Sequence, residues 1–177
     1  MAKTAAASST SAKSDPAFEL AELKKQIHAL LTEAQAHVSF EEAIKDFPAD
    51  LRGKRPHNLP YSAWQLLEHM RITLRDILDF SAPPTGGYQH IEWPKGYWPA
   101  EAEPPTAHSW DNTIATIRSD LKQFKSLIDK PTADLFKPFR WGEGQNLLRE
   151  ALLIADHNAY HLGEFMVLRR LLGAWHS

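Results

Sequence analysis

Four stretches of the chain repeat apolar residues at spacings of three and four, and no run alternates them at a spacing of two. This pattern narrows the possible folds most. Side chains three and four apart share a face of an α-helix, whereas a half-buried strand needs a period of two. In the first stretch Leu20, Leu23, Ile27, Leu30, Leu31 and Ala34 predict an amphipathic helix from Pro16 to about His37, with the proline at a first helical position. In the second, Ser62 and Gln65 have the form of a capping box, and Tyr61 is placed to staple against Leu66. Leu66, Leu67, Met70, Leu74, Ile77 and Leu78 mark its buried face. The third opens at Ser109, carries Trp110, Ile114, Ile117, Leu121, Phe124 and Ile128, and stops at Lys130-Pro131. It has no histidine or glutamate on its apolar face and reads as structural. The fourth runs from about Gln145 to Leu172, next to Gly173.

The connections are legible as well. Ser39-Phe40-Glu41-Glu42 has the form of another capping box and predicts a short helical piece ending near Phe47-Pro48. Residues 50–60 hold Gly53, Pro56 and Pro60 and read as a loop. Residues 81–107 form a long connection rich in proline and glycine, with Tyr88, Trp93, Tyr97 and Trp98 to bury. Long loops of this kind serve as lids or binding loops, or wrap over the end of a bundle. A further loop, residues 131–144, carries Phe136, Phe139 and Trp141. The reading is all-α: a four-helix bundle with a long loop between the second and third long helices. A chain of 177 residues suits a single domain, placed at 16–177, after a disordered tail at 1–15 rich in Ala, Ser, Thr and Lys.

Chemistry enters on the fourth helix. His157 and His161 are four residues apart and share a helix face. At roughly 100° per residue, Leu147, Ile154, Phe165, Leu168 and Leu172 project to that same side, so both imidazoles point inward. A buried imidazole needs a partner for each ring nitrogen. Hydroxyls or backbone carbonyls of the core can supply them, and so can one metal ion shared by the pair. The second helix brings His69, toward one edge of its apolar face, with Thr73 and Asp76 following on the same side. Three imidazoles with an open fourth position make a metal site of the catalytic type. Glu150, two turns before His157, offers a carboxylate on the same face, either as a partner of the site or as an ordinary paired bundle acid. His28, His37 and His57 fall on polar or loop positions. His90 and His108 lie in or beside the long loop.

Composition restricts what such a site can do. The chain has no cysteine, so a metal must be held by nitrogen and oxygen, and any thiol chemistry must use a thiol from the substrate. Twenty basic residues against 22 acidic ones leave a net charge of −2, without the basic stripe that a nucleic-acid groove needs. No apolar run approaches the roughly 20 residues of a membrane span. The first residues lack the apolar core of a secretory signal, so a cytoplasmic location is expected.

These residues resemble the DinB-like superfamily of four-helix bundles, which includes the YfiT-like metal-dependent hydrolases. The resemblance runs from about Phe18 to Ala174. It is carried by Leu148-Arg149-Glu150, by Asp156-His157-Asn158-Ala159-Tyr160-His161-Leu162-Gly163-Glu164 and by Leu168-Arg169-Arg170-Leu171-Leu172-Gly173. Ser62-Ala63-Trp64-Gln65-Leu66-Leu67-Glu68-His69 matches the family's other ligand-bearing segment, and Tyr97-Trp98-Pro99 through Ser109-Trp110-Asp111 its loop into the third helix. The resemblance implies that His69, His157 and His161 bind one divalent metal, zinc or nickel, and that the protein forms a homodimer. Members with known activity include transferases that join low-molecular-weight thiols to electrophiles and a thiol-dependent isomerase. A metal-dependent enzyme that activates such a thiol is therefore expected, with a hydrolase or a non-catalytic binding bundle as alternatives. Position 164 is often glutamine in relatives, so Glu164 adds a carboxylate near the metal, as a ligand, a base or a partner of a ligand, and is the candidate catalytic residue.

Overall fold

The structure is a computed structural model and describes residues 15–175. The expected tail falls almost entirely outside the described residues, and its last residue, Asp15, is part of the first helix cap. Among the described residues there are five α-helices, three short 3-10 turns and no strand.

Helix α1 is Pro16–Thr32, with the Asp15 carboxylate accepting from the Ala17 N–H at 3.0 Å. It ends five residues before the expected His37. Beyond Leu31 the next turn offers only exposed polar residues and Ala34, so no burial holds the backbone helical. Thr32 also turns its hydroxyl back on the His28 carbonyl. Only Ile27 and Leu31 of α1 are fully buried, and Leu30 is 49% exposed. Helix α2, Phe40–Ile44, starts on the expected capping box, with Ser39 and Glu42 bonded reciprocally.

Helix α3 is Ala63–Ser81. Its capping box is present and is shared with the long connection. The Ser62 hydroxyl accepts from the Gln65 N–H and donates to the Ala102 carbonyl, while the Gln65 amide donates to the Pro99 carbonyl at 3.0 Å. The first turn of α3 thus anchors the loop that later returns over it. Tyr61 stacks on Trp98, ring centroids 5.7 Å apart.

Helix α4, Ser109–Asp129, and helix α5, Leu147–Leu171, follow the expected periodicities to within two residues at each end. Asn146 caps α5, accepting from the Arg149 N–H at 2.9 Å, and Gly173, at φ +67°, takes the left-handed conformation just past its end. Helix α3 packs along both α4 and α5, whereas α1 meets α4 and α5 over shorter lengths. Leu66, Leu67, Leu74, Phe124, Phe165 and Leu168 are sealed from solvent in the core. Trp175 lies over the Arg169 guanidinium, 5.1 Å from ring centroid to carbon, so it covers its own chain. No helix among the described residues is long and apolar enough to cross a membrane.

Candidate metal centre

Helices α3 and α5 bring His69, His157 and His161 together. One ligand nitrogen from each lies within 4.8 Å of the others. His69 Nε2 is 3.0 Å from His161 Nε2 and 3.1 Å from His157 Nε2. Three nitrogens at about 2.0–2.1 Å from one tetrahedral ion would stand about 3.3 Å apart, close to these separations.

The outward ring nitrogens decide what the inward ones can be. His69 Nδ1 donates to the Tyr97 carbonyl at 2.8 Å, and His161 Nδ1 donates to Glu164 Oε2 at 2.7 Å. Carbonyl and carboxylate oxygens only accept, so each Nδ1 carries a proton, and in the neutral form of each ring Nε2 presents a lone pair. Two lone pairs facing each other at 3.0 Å do not form a hydrogen bond. A cation between them, with His157 as third donor, satisfies all three. Extra protons are a poor substitute here. Burial, and then the neighbouring imidazoles, push the His157 pKa down to about 3. Burial also lowers that of His69, with His161 adding to the effect. His69 and His157 are thus both pushed toward the neutral form, the form in which imidazole binds metal. An all-imidazole donor set suits zinc, copper, iron or nickel.

The sequence places His69 toward one edge of its apolar face, yet it is only 3% exposed. The long connection makes the difference. Trp98 stacks flat on the His69 ring, centroids 3.9 Å apart and planes 2° from parallel, and meets His161 edge-on. Tyr97, next to it, supplies the carbonyl that fixes the His69 tautomer. The loop is tied down by Asp76, whose carboxylate accepts from the Tyr88 hydroxyl at 2.7 Å and the Tyr97 hydroxyl at 2.8 Å. Desolvation and this carboxylate raise both phenol pKa values, that of Tyr97 to about 12, so both stay protonated donors. The aromatic richness of the loop was visible in sequence. Which ring covers which imidazole was not.

Glu164 is half-buried on α5, against His161 Nδ1 rather than among the converging nitrogens. Tyr61 lies within hydrogen-bonding reach of it; burial first and then this carboxylate push the Tyr61 pKa up to about 12. Glu150 is buried and paired with its neighbour Arg149 at 2.7 Å, the ordinary alternative of its two readings. His90 and His108 are exposed and outside the cluster, as are His37 and His57, and His28 bonds Asp129 at 2.9 Å. His157 is half-buried, the most exposed of the three histidines.

A family model described as the DinB superfamily matches residues 34–165, a span that contains His69, His157, His161 and Glu164. No curated protein and no solved structure matches the chain.

Proposed function

The chain belongs to the DinB superfamily, and from that premise we propose that it is a metal-dependent enzyme that activates a low-molecular-weight thiol for transfer to an electrophile. The observation that carries the reading is the pair of facing Nε2 lone pairs, completed by His157 beneath Trp98. On this reading α1, α3, α4 and α5 are a four-helix bundle of the DinB/YfiT-like type, with residues 82–108 as its long loop. His69, His157 and His161 hold one divalent ion, zinc or nickel. Such an ion supplies Lewis acidity, which lets a thiol or a water lose its proton near neutral pH. The chain's own contribution is to orient and to shield. The Tyr97 carbonyl and the Glu164 carboxylate hold the two tautomers that aim Nε2 inward. Trp98 excludes water from one face of His69. Glu164 acts through His161 and is a positioning residue. With no cysteine in the chain, the thiol arrives as a substrate.

A hydrolase is the second reading, since water can take the thiol's place. The test is the zinc- or nickel-loaded protein offered glutathione, bacillithiol or mycothiol with an electrophile, beside ester and amide substrates. Thiol-dependent consumption of the electrophile is the expected result. Ester or amide cleavage without thiol favours the hydrolase. No metal-dependent turnover with any of them removes the enzyme and leaves a binding module; then chelation that collapses the helical circular dichroism marks the ion as structural. We also propose a homodimer. The outward side of α5 supports it, with Leu152, Tyr160, Val167 and Leu171 between 44% and 64% exposed. A 20.1 kDa species in sedimentation at micromolar concentration would remove it.

A further inference from the structure

The two imidazoles that face each other are held by separate partners on separate elements. His69 is fixed by the long connection, His161 by Glu164 of its own helix. Facing nitrogens can serve one ion only if both rings keep their orientation together, within about 0.5 Å and 10–20°. One side chain touches both sets of partners. Tyr61 stands just before the α3 N-cap, and its place is set because Ser62 is locked at both ends. The Ser62 N–H donates to Gln65 Oε1 at 3.2 Å, and the Ser62 hydroxyl accepts from the Gln65 N–H at 3.2 Å. From there the half-buried phenol reaches in two directions. Its ring lies on Trp98 with planes 16° from parallel, and Trp98 in turn lies flat on His69. Its hydroxyl lies within hydrogen-bonding reach of the Glu164 carboxylate, the acceptor of His161 Nδ1–H.

Each contact has a consequence for one ligand. Tyr97 and Trp98 are chain neighbours, so a shift of the indole also moves the carbonyl that fixes His69 Nδ1. A carboxylate that loses the phenol hydroxyl is freer to turn away from His161. Tyr160 reaches the same carboxylate, but it is 64% exposed, and its ring meets His161 edge-on at 4.9 Å instead of joining the stack. Its hydroxyl competes with water for Glu164 and has no hold on His69. We infer that Tyr61 is a positioning residue of the metal centre, tying the orientation of His161, through Glu164, to that of His69, through Trp98. The inference rests on the metal reading above. It joins three elements into one unit: the entry to α3, the long connection and α5.

Cobalt(II) is the probe on the full chain. It takes the same nitrogen donors, its visible absorption follows their orientation, and competition with a chelator reads its affinity. Tyr61→Phe, which keeps the ring, should weaken binding by about 3–10-fold and change the visible band, while the metal-free protein keeps the wild-type urea midpoint. Tyr61→Leu, which loses the ring as well, should weaken binding by about 10–100-fold. With Glu164→Ala already present, Tyr61→Phe should cost nothing more, because the hydroxyl has no carboxylate left to hold. Tyr61→Leu should still lower affinity there by about threefold or more, through Trp98. Wild-type affinity and spectrum in Tyr61→Phe, equal losses in Tyr61→Phe and Tyr61→Leu, or the same loss from Tyr61→Phe with and without Glu164 would each overturn the inference. A wild type that takes up no cobalt overturns the metal centre as well, whereas uptake indifferent to both Tyr61 variants overturns this inference alone. Should Tyr61→Leu not fold, Tyr61→Phe and its cycle with Glu164→Ala decide.

Discussion

The α3–α5 seam and the α1–α4 seam are built from the same kind of helix and end in opposite states. The first is filled with polar groups, yet its imidazoles and carboxylates find partners, because the long connection returns over it and supplies a carbonyl, two hydroxyls and an indole face. The second is lined with aliphatic side chains and remains hollow. The difference lies in what lies over each pair of helices. Residues 82–108 cover the α3–α5 seam, while α1, shortened to Thr32 and followed by exposed residues, leaves the other open. A helical scaffold acquires a polar site where something closes over it, and an apolar one where nothing does.

The comparison breaks most directly at the three histidines. Replacing His69, His157 or His161 with alanine should abolish stoichiometric metal, a larger loss than the roughly 10–100-fold that removal of an outer partner causes. His28→Ala should leave metal content unchanged. Elemental analysis of the four purified variants checks this; full occupancy in His69→Ala would remove it from the ligand set, and full occupancy in both α5 variants would remove the site.

Next come two leucines, one per seam. Leu67 is fully buried in α3, and Leu67→Ala should cost about 2–5 kcal/mol in urea unfolding. Leu121, half-buried beside an existing hollow, should cost only about 1 kcal/mol as alanine. Equal losses would mean that the α1–α4 seam is packed as tightly in solution as the other.

Glu164→Ala should weaken metal binding by about 10–100-fold while leaving the fold intact, because it frees His161 to change tautomer. Glu164→Gln, which keeps an acceptor for Nδ1–H, should recover most of that. A competition titration with a chromophoric chelator separates the two variants; equal losses would assign the effect to charge, not to orientation. The smallest effect is expected at Asp76→Asn, where two phenols lose an ionised acceptor. A loss of about 1.5 kcal/mol, with faster amide exchange confined to residues 88–98, is the expected result.

Much of this was legible in the chain. The helices are written in apolar spacing, and the Ser62–Gln65 and Ser39–Glu42 caps stand where the sequence has them. His157 and His161 share a face because four residues nearly complete a turn. The depth of His69 was not legible, since it depends on Trp98, 29 positions later, docking on it, and no local periodicity encodes such a contact. The early end of α1 was hidden for a related reason: Leu20 and Leu30 keep the helical spacing yet stay exposed, so pattern alone overstated how much of that helix is buried. Glu164 was recognised as a nearby carboxylate, but its assignment to His161 Nδ1 needed side-chain geometry.

The nitrogens of His69 and His161 that face each other are 92 positions apart along the chain. Bringing them within reach closes a loop that contains the whole of α4, and contacts of such long separation form late in folding because of their loop-closure entropy. An ion that needs both has almost nothing to grip in a partly folded chain. A bound ion would therefore stabilise only the finished protein, by an amount that grows with the logarithm of free metal. With an ion bound, the centre would act as a checkpoint on completion: metal supply would set how long the mature form survives unfolding, and would have little hold on how quickly the chain first collapses.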